Sequence, residues 1–287
     1  MALPQKLAAL DARYFQIAAQ ASILAFGLAF REFEITPVQI AAILTACFAA
    51  QWLGATMNAI RFDWKSPLAT ALSLSLLLRA DSIGPLMLAG LIAIGSKFAL
   101  RLNGKHIFNP SNFAIVAMLL MTDDAWTTPG RWGTTLWFAI LIAGAGSIVA
   151  RRASRLDVPL VFLGTYAALL FGRALWLGDP LSIPLLRLQS GALILFAFFM
   201  ITDPKTTPDG PRLRAAFAAG AAFIAYILAY QFYISDGVFY ALAGLCLIRP
   251  LIELFGDAPA FQWADAPAPL PKLTPRRESR ADPAPAE

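Results

Sequence analysis

Long apolar runs recur along this chain and are separated by short polar loops. A helix needs about 20 mostly apolar residues to cross the hydrocarbon core of a bilayer. The pattern therefore predicts an all-α, polytopic membrane protein with about ten transmembrane helices in contact with the lipid bilayer. The expected spans are residues 14 to 30, 37 to 56, 66 to 79, 82 to 100, 110 to 121, 133 to 150, 157 to 176, 189 to 201, 212 to 233 and 237 to 255.

The chain divides into three parts on this pattern. Residues 1 to 13 form a cytoplasmic N-terminal segment that runs into the first span with no convincing signal-peptide cleavage site. Residues 14 to 256 form the ten-helix membrane domain. Residues 257 to 287 are rich in Pro, Ala and charge and bury too little apolar surface to order themselves, so we expect a disordered cytoplasmic tail.

Three of the spans are short for a bilayer about 30 Å thick, namely 66 to 79, 110 to 121 and 189 to 201. If the ten spans form two sets of five, the odd number inverts the second set, and the third span corresponds to the eighth. Both open with a serine and a helix breaker, Ser66-Pro67 and Ser190-Gly191. Short segments at matching positions of inverted halves indicate a central binding site. The alternative is ordinary helices with polar ends.

Composition and charge agree with a membrane protein. Hydrophobic residues make up 58% of the chain and charged residues 14%, against roughly a quarter charged in soluble proteins, and the mean hydropathy is +0.63. The net charge of +5 could point to nucleic acid, but 18 of the 23 Lys and Arg residues fall in alternate loops, on one face of the membrane. This positive-inside bias predicts an inner-membrane protein with both termini in the cytoplasm, and we do not expect a nucleic-acid partner.

The residue inventory narrows the chemistry. Asp and Glu are almost absent from the centres of the spans, which argues against a stand-alone ion pump. Cys47 and Cys246 fall in apolar spans, where small buried side chains are the simplest interpretation, and His106 is the only histidine. We therefore expect no metal or cluster site within this chain alone.

Two polar stretches stand out, each beside a short span. In the loop 102 to 112, Asn109 can cap a helix that begins at Pro110, which is either a well-made helix start or a cradle for an anionic or carbonyl-bearing ligand. Thr202-Asp203-Pro204 follows the eighth span, where Asp-Pro also reads as an ordinary helix stop. The candidate binding residues are Asn103, Gly104, Lys105, His106, Phe108, Asn109, Asn112, Ser190, Gly191, Thr202 and Asp203.

Four segments together resemble one family: residues 104–110 (GKHIFNP), 190–192 (SGA), 199–206 (FMITDPKT) and 236–237 (DG). Their order and spacing are similar to those of the RnfD/NqrB family, which are membrane subunits of the Rnf complex and of the sodium-pumping NADH:quinone reductase. The resemblance implies a short member of that family, with ten helices in two inverted halves as in urea transporters. It also implies electron transfer through flavins within a complex that contains other membrane redox subunits.

The same resemblance bears on the cofactor. The family attaches FMN to a threonine of a Ser-Gly-Ala-Thr-like motif in the outer loop between helices five and six, but residues 122–132 read TDDAWTTPGRW here. Covalent FMN is therefore not expected. A noncovalent flavin, riboflavin or FMN, is implied near the loop 104–112, where Asn109 matches one asparagine of the family pattern and His106 replaces another. Phe108 can stack on the flavin or belong to the core.

The function that follows is a membrane electron-transfer subunit of an Rnf-like system. The sequence has no Gly-rich dinucleotide fingerprint and no cluster ligands, so an electron-relay role with partners is expected rather than independent catalysis. Two alternatives stay open. One is a small-solute channel or transporter of urea-transporter-like architecture, and the other is a membrane accessory protein of an enediyne-type biosynthetic cluster.

Overall fold

The computed structural model describes residues 11–31, 33–102, 104–127, 136–256, 258 and 261. Four short strands occur among them: β1 (Leu78–Ala80), β2 (Arg101–Leu102), β3 (Lys105–His106) and β4 (Ala125–Thr127). The helices are α1 (Ala12–Phe30), α2 (Pro37–Met57), α3 (Lys65–Leu77), α4 (Ile83–Ala99), α5 (Pro110–Met121), α6 (Leu136–Arg152), α7 (Asp157–Leu177), α8 (Ser182–Leu188), α9 (Gly191–Leu195), α10 (Pro211–Tyr230) and α11 (Gly237–Glu253). A π-helical turn (Phe196–Met200) continues α9.

The predicted all-α polytopic architecture is confirmed. Within the described residues, α2, α7 and α10 are each long and apolar enough to cross a membrane. Helix α8 and the α9–π segment are together long and apolar enough as well, but they are bent by 50°, which fits a broken span or a re-entrant loop. Large apolar side chains on the outer surface stay exposed, as lipid-facing residues do, and include Trp52, Leu120, Ile140, Leu175 and Leu247.

The helix packing repeats between the two halves of the chain. In the first half α1 packs on α3, α2 on α4, and α4 on α5. In the second half α6 packs on the α9–π segment, α7 on α10, and α10 on α11. Two further contacts, α1 with α6 and α5 with α11, join the halves. These three pairings thus recur five segments later, as expected for two five-helix halves.

Local sequence explains where several helices begin. Thr36 and Gln39 form a capping box at the start of α2, with each side chain bonded to the backbone N–H of the other residue, and Pro37 occupies the first helical position. Asn109 caps α5 through its side chain, ahead of Pro110. At the C-terminal end of α7, Gly178 adopts a left-handed conformation with φ of 73°, which favours glycine.

The third and eighth segments are short, but their ends differ from the prediction. The third span was expected to stay helical to residue 79, whereas α3 ends at Leu77 and β1 follows. Leu78 and Ala80 pair antiparallel with Thr127 and Ala125 of β4. Arg79 stabilises this ending because its guanidinium donates to the carbonyls of Ser75 (2.8 Å) and Leu78 (2.7 Å).

The eighth span was expected to begin at residue 189. Instead α8 precedes it, the chain breaks at Gln189 and Ser190, and every residue from Gly191 to Met200 is buried. The α9–π segment is therefore the central element of the core. Cys47 and Cys246 are buried free thiols within the same core cluster.

Most of the two predicted end segments lies outside the described residues. Of the N-terminal segment, residues 11–13 are described, at the start of α1, and of the tail only residues 258 and 261. The N-terminal segment and the disordered tail thus stay predictions.

Candidate functional site

A polar cavity of about 320 Å³ lies where the two sequence stretches meet. Gly104, His106 and Asn109 line it from the first stretch, and Thr202 and Asp203 line it from the second. This volume is at the lower end of the range for small-molecule pockets, about 300 to 1,000 Å³. Five of the predicted site residues therefore face one cavity, although their role in binding stays a prediction.

Asn109 links the two stretches. Its side-chain oxygen accepts from the Asn112 backbone N–H (3.0 Å) and from the Ser111 hydroxyl (2.9 Å), which is the helix cap expected from the sequence. Its amide nitrogen donates to the Met200 carbonyl (3.3 Å) and to the Asp203 carboxylate (3.4 Å). One buried amide thus starts α5 and holds the end of the π-helical turn beside it.

His106 and Asp203 form the second link, with 3.2 Å between Nε2 and Oδ2. Burial raises the pKa of Asp203, but the hydrogen bond and charge of His106 and the backbone N–H of Lys205 outweigh burial and lower that pKa below its usual value. Asp203 is therefore a carboxylate at neutral pH. Its acceptor atoms favour a proton on the facing nitrogen of His106.

The opposite wall comes from residues that the sequence analysis did not select. Ser66, Thr70 and Ser73 of α3 lie at helical spacing and present a row of hydroxyls to the cavity. From α4, the Lys97 ammonium donates to the Ser66 hydroxyl (2.8 Å) and to the Gln51 side-chain oxygen (3.1 Å). Lys97 was counted only as a loop cation. Its position inside an apolar span was the signal that could have identified Lys97 as a candidate site residue.

Charged residues at the start of α1 complete the cavity. Arg13 and Asp63 line it, and the Arg13 guanidinium lies 2.7 Å from the Asp63 carboxylate and 2.6 Å from Asp11. Lys65 also contacts Asp11, at 3.2 Å. Arg13 and Asp63 are thus partners of each other, and this cluster fixes the start of α1 against α3.

Lys105 faces away from the cavity and forms a clamp beneath it. Its ammonium pairs with the Asp209 carboxylate and with Glu253, at 3.0 Å from the latter. Arg155 lies 3.4 Å from Asp209, and Arg249 lies 2.9 Å from Glu253. This cluster, called the Lys105 clamp below, ties the β2–β3 hairpin to α11 and to the loop before α10.

Phe108 and Asn112 are also in the core rather than in the cavity lining. Phe108 stacks on Phe113, with ring centroids 4.7 Å apart. Asn112 is fully buried and donates to the carbonyl of Phe239 in α11 (3.1 Å). Both side chains therefore hold α5 in place.

Ser190 and Gly191 begin α9 and so lie at the opposite end of the α9–π segment from Thr202. Neither lines the cavity. Asn103, the remaining predicted residue, is outside the described residues. In the loop 122–132, where the family's covalent FMN would be expected, the Thr127 hydroxyl is buried and donates to the Asp236 carboxylate.

An apolar groove of about 640 Å³ runs along α2 and α4 on the other side of Phe98. The Phe98 ring contacts both spaces and lies directly on Gly54, where any Cβ would collide with it. Phe98 is thus the wall between the polar cavity and the groove.

Comparison with known proteins places the chain in a family. Residues 114–261, just over half of the chain, match the NQR2, RnfD, RnfE family. The chain belongs to this family. Thr202 and Asp203 lie within the matched residues, whereas the loop 104–112 precedes them.

Curated relatives of the family are named as a subunit of the ion-translocating oxidoreductase complex, the one designated D. The protein from Escherichia coli O1:K1 / APEC is 33% identical over 125 residues, which is 44% of this chain and 34% of the relative. The protein from E. coli O9:H4 (strain HS) is 33% identical over 127 residues, with the same shares. The chain thus matches about a third of the length of these NQR2/RnfD/RnfE relatives.

Proposed function

We propose that this protein is a membrane subunit of an Rnf-like oxidoreductase complex and that it passes electrons through a flavin held noncovalently in the polar cavity. The observation that carries the proposal is the contact of His106 and Asn109 with Asp203. These residues belong to two of the four segments that carry the family resemblance, which implies a flavin near the first of the two, and they meet at a cavity. The relatives' name supplies the class of complex.

The cavity residues fit an isoalloxazine ring. Such a ring carries carbonyl oxygens and ring nitrogens that accept hydrogen bonds, one ring N–H that donates, and two flat apolar faces. Lys97 has a third N–H beyond the two it donates to Gln51 and Ser66, Asp203 provides an acceptor, and Phe98 and Phe199 provide apolar surface. The donor set of the cavity is thus suited to the ring.

The protein groups have definable roles around such a ligand. Flavins supply one- and two-electron transfer, and the protein supplies binding and electrostatics. The Lys97 ammonium stabilises negative charge on ligand oxygens within its reach, because its present partners are neutral. Asp203 holds the orientation of the His106 ring and keeps a proton on the nitrogen that faces it.

We further propose that the cavity opens on the cytoplasmic side of the membrane. The cavity is lined by Arg13, Arg61, Lys97, Arg101 and Lys205, all from the loops or loop ends that the positive-inside bias assigns to the cytoplasm. The cavity then opens to the cytoplasmic side of a bacterial inner membrane, where it is accessible to partner redox subunits.

An absorption spectrum of the detergent-purified protein, taken before and after acid precipitation, tests this function. We expect flavin bands that acid releases into the supernatant. Lys97→Met keeps the side-chain length and removes the charge, and it should lower the flavin content at least about tenfold, since a hydrogen bond to a charged group contributes roughly 1.5–3 kcal/mol. Leu175→Ala, on the exposed face of α7, is the matched control and should keep its flavin.

Two results would contradict the proposal. A protein that is colourless as purified, and still colourless after incubation with riboflavin and FMN, has no flavin site. Bands that stay in the acid pellet would show covalent attachment.

A polar-solute pathway is the second candidate, and one observation favours it. The hydroxyls of Ser66, Thr70 and Ser73 extend the cavity along about 10 Å of α3. In vesicles that contain a colourless protein, flux of a small neutral solute that Ser73→Leu abolishes would favour transport over electron transfer.

A further inference from the structure

Four cations that line the cavity have no carboxylate partner among the described residues. Lys97 bonds to neutral side chains, Arg101 donates to the Gly104 carbonyl (3.2 Å), and Lys205 donates to a backbone carbonyl (3.0 Å). Arg61 has no hydrogen-bond or ion-pair partner within the described part of the chain. Clustered cations repel one another, and a shared anion removes that repulsion.

The carboxylates of the cavity do not supply this anion. Of the described lining residues, Asp63 pairs with Arg13, and Asp203 is hydrogen-bonded to His106. The lining therefore holds five Lys or Arg side chains against two carboxylates, a formal charge of +3 before His106 is counted. Burial lowers the pKa of Lys205, and the charges of Lys105 and Arg101 add to this effect while Asp203 and Asp209 oppose it.

The positive-inside bias explains why the cations are on this face, but not why they converge unpaired. Four other cations of the same face, Lys105, Arg155, Arg214 and Arg249, each pair with a carboxylate. Arg151 and Arg212, both exposed on this face, also lack a carboxylate partner among the described residues, but they lie on different helices and outside the cavity, whereas the four cavity cations without a carboxylate converge on it. Arg61 and Arg101 are exposed, whereas Lys97 is partly buried against the α3 hydroxyls.

We propose that the ligand of this cavity carries a phosphate group, which Arg61, Arg101 and Lys205 bind at the cavity mouth. A phosphate monoester carries a charge near −2 and three acceptor oxygens, and it would offset most of the excess charge. The choice of a flavin as its carrier rests on the proposed function. If the ligand is a flavin, its phosphate group makes it FMN rather than riboflavin.

The test uses the full chain in nanodiscs of zwitterionic phosphatidylcholine, titrated separately with FMN and riboflavin and followed by flavin fluorescence. FMN should bind at least about tenfold more tightly, the lower end of what one charge-assisted hydrogen bond supplies. Arg61→Gln with Arg101→Gln should weaken FMN binding by about tenfold or more and leave riboflavin binding nearly unchanged. Arg151→Gln with Arg212→Gln, two exposed arginines of the same face outside the cavity, is the matched control.

The outcomes separate the two proposals. If riboflavin binds as tightly as FMN, the phosphate site is wrong and the flavin function stands. If neither flavin binds but radiolabelled inorganic phosphate binds and the Arg61/Arg101 variant abolishes it, the phosphate site stands and the flavin function is wrong. If none of the three binds, both are wrong.

A lipid headgroup is another source of phosphate, and lipid composition distinguishes it from FMN. Adding phosphatidylglycerol to the nanodiscs should compete with FMN only if headgroups enter the same site. If phosphatidylglycerol competes with FMN in the wild type but not in the Arg61/Arg101 variant, the phosphate site is supported and a lipid headgroup occupies it. If FMN affinity is the same in both lipids, FMN is the occupant.

Discussion

The Lys105 clamp should stabilise the fold and the cavity together, and Lys105→Met tests it. Methionine keeps the length and apolar stem of lysine but removes the ammonium that pairs with Asp209 and Glu253. The Lys105 side chain is 7% exposed, that of Asp209 11% and that of Glu253 28%. The variant therefore leaves two carboxylates with weaker compensation in a largely buried site.

The expected cost follows from the remaining partners. Removing one partner of a fully buried ion pair costs roughly 3–5 kcal/mol. Here Asp209 keeps Arg155 at 3.4 Å, Glu253 keeps Arg249 at 2.9 Å, and Glu253 is partly solvated. We therefore expect a loss of about 2 kcal/mol, or about 4 to 8 °C in the midpoint of thermal unfolding.

Thermal unfolding in detergent, followed by tryptophan fluorescence, measures this loss. Arg151→Gln is the control: it removes an exposed cation of the same face, and its midpoint of thermal unfolding should equal that of the wild type. The clamp also holds the hairpin that carries Gly104 and His106. The Lys105→Met variant should therefore contain less flavin than the wild type as well as being less stable. If Lys105→Met unfolds at the wild-type temperature, the clamp contributes nothing and the reasoning is refuted.

Two further predictions concern packing and protonation. Gly146→Ala places a Cβ against Phe198, where the chain has no room, and should cost about 1–3 kcal/mol, whereas Gly144→Ala in the same helix meets open space and should unfold near the wild-type temperature. Equal unfolding of both variants would contradict the packing. The pKa of Asp203 is lowered in the folded protein, so its stabilising contribution is present above the unfolded pKa of about 3.9 and is lost as pH falls through the lower folded pKa. Asp203→Asn should therefore be less stable than the wild type from pH 7 to about pH 5, with a difference that shrinks below about pH 4, and a pH-independent difference would contradict this assignment.

Local sequence predicted the helical segments well. The limits of α5 match the expected span, and Asn109 caps it as its position before Pro110 indicated. The end of α3 was missed because its cause is not local. Leu78 leaves the helix to pair with Thr127, 49 residues later in the chain, and no nearby residue signals that pairing.

The site was predictable only in part. Asn109 and Asp203 are 94 residues apart, so the resemblance, rather than any local pattern, brought them together. Lys97 was missed because a charge count by loops does not distinguish a cation inside a helix from one in a loop. Ser190 and Gly191 were placed with the site by their motif, but the buried α9–π segment, about 15 Å long, separates them from it.

The central claim is that a flavin binds between the loop at His106 and the loop at Asp203. Photolabelling with an azido-substituted riboflavin, followed by mass spectrometry of the labelled peptides, tests it directly. We expect labels on the segments 97–113 and 199–205, and protection of both by excess unlabelled flavin. Labels confined to other segments, or labelling that excess flavin does not reduce, would contradict it.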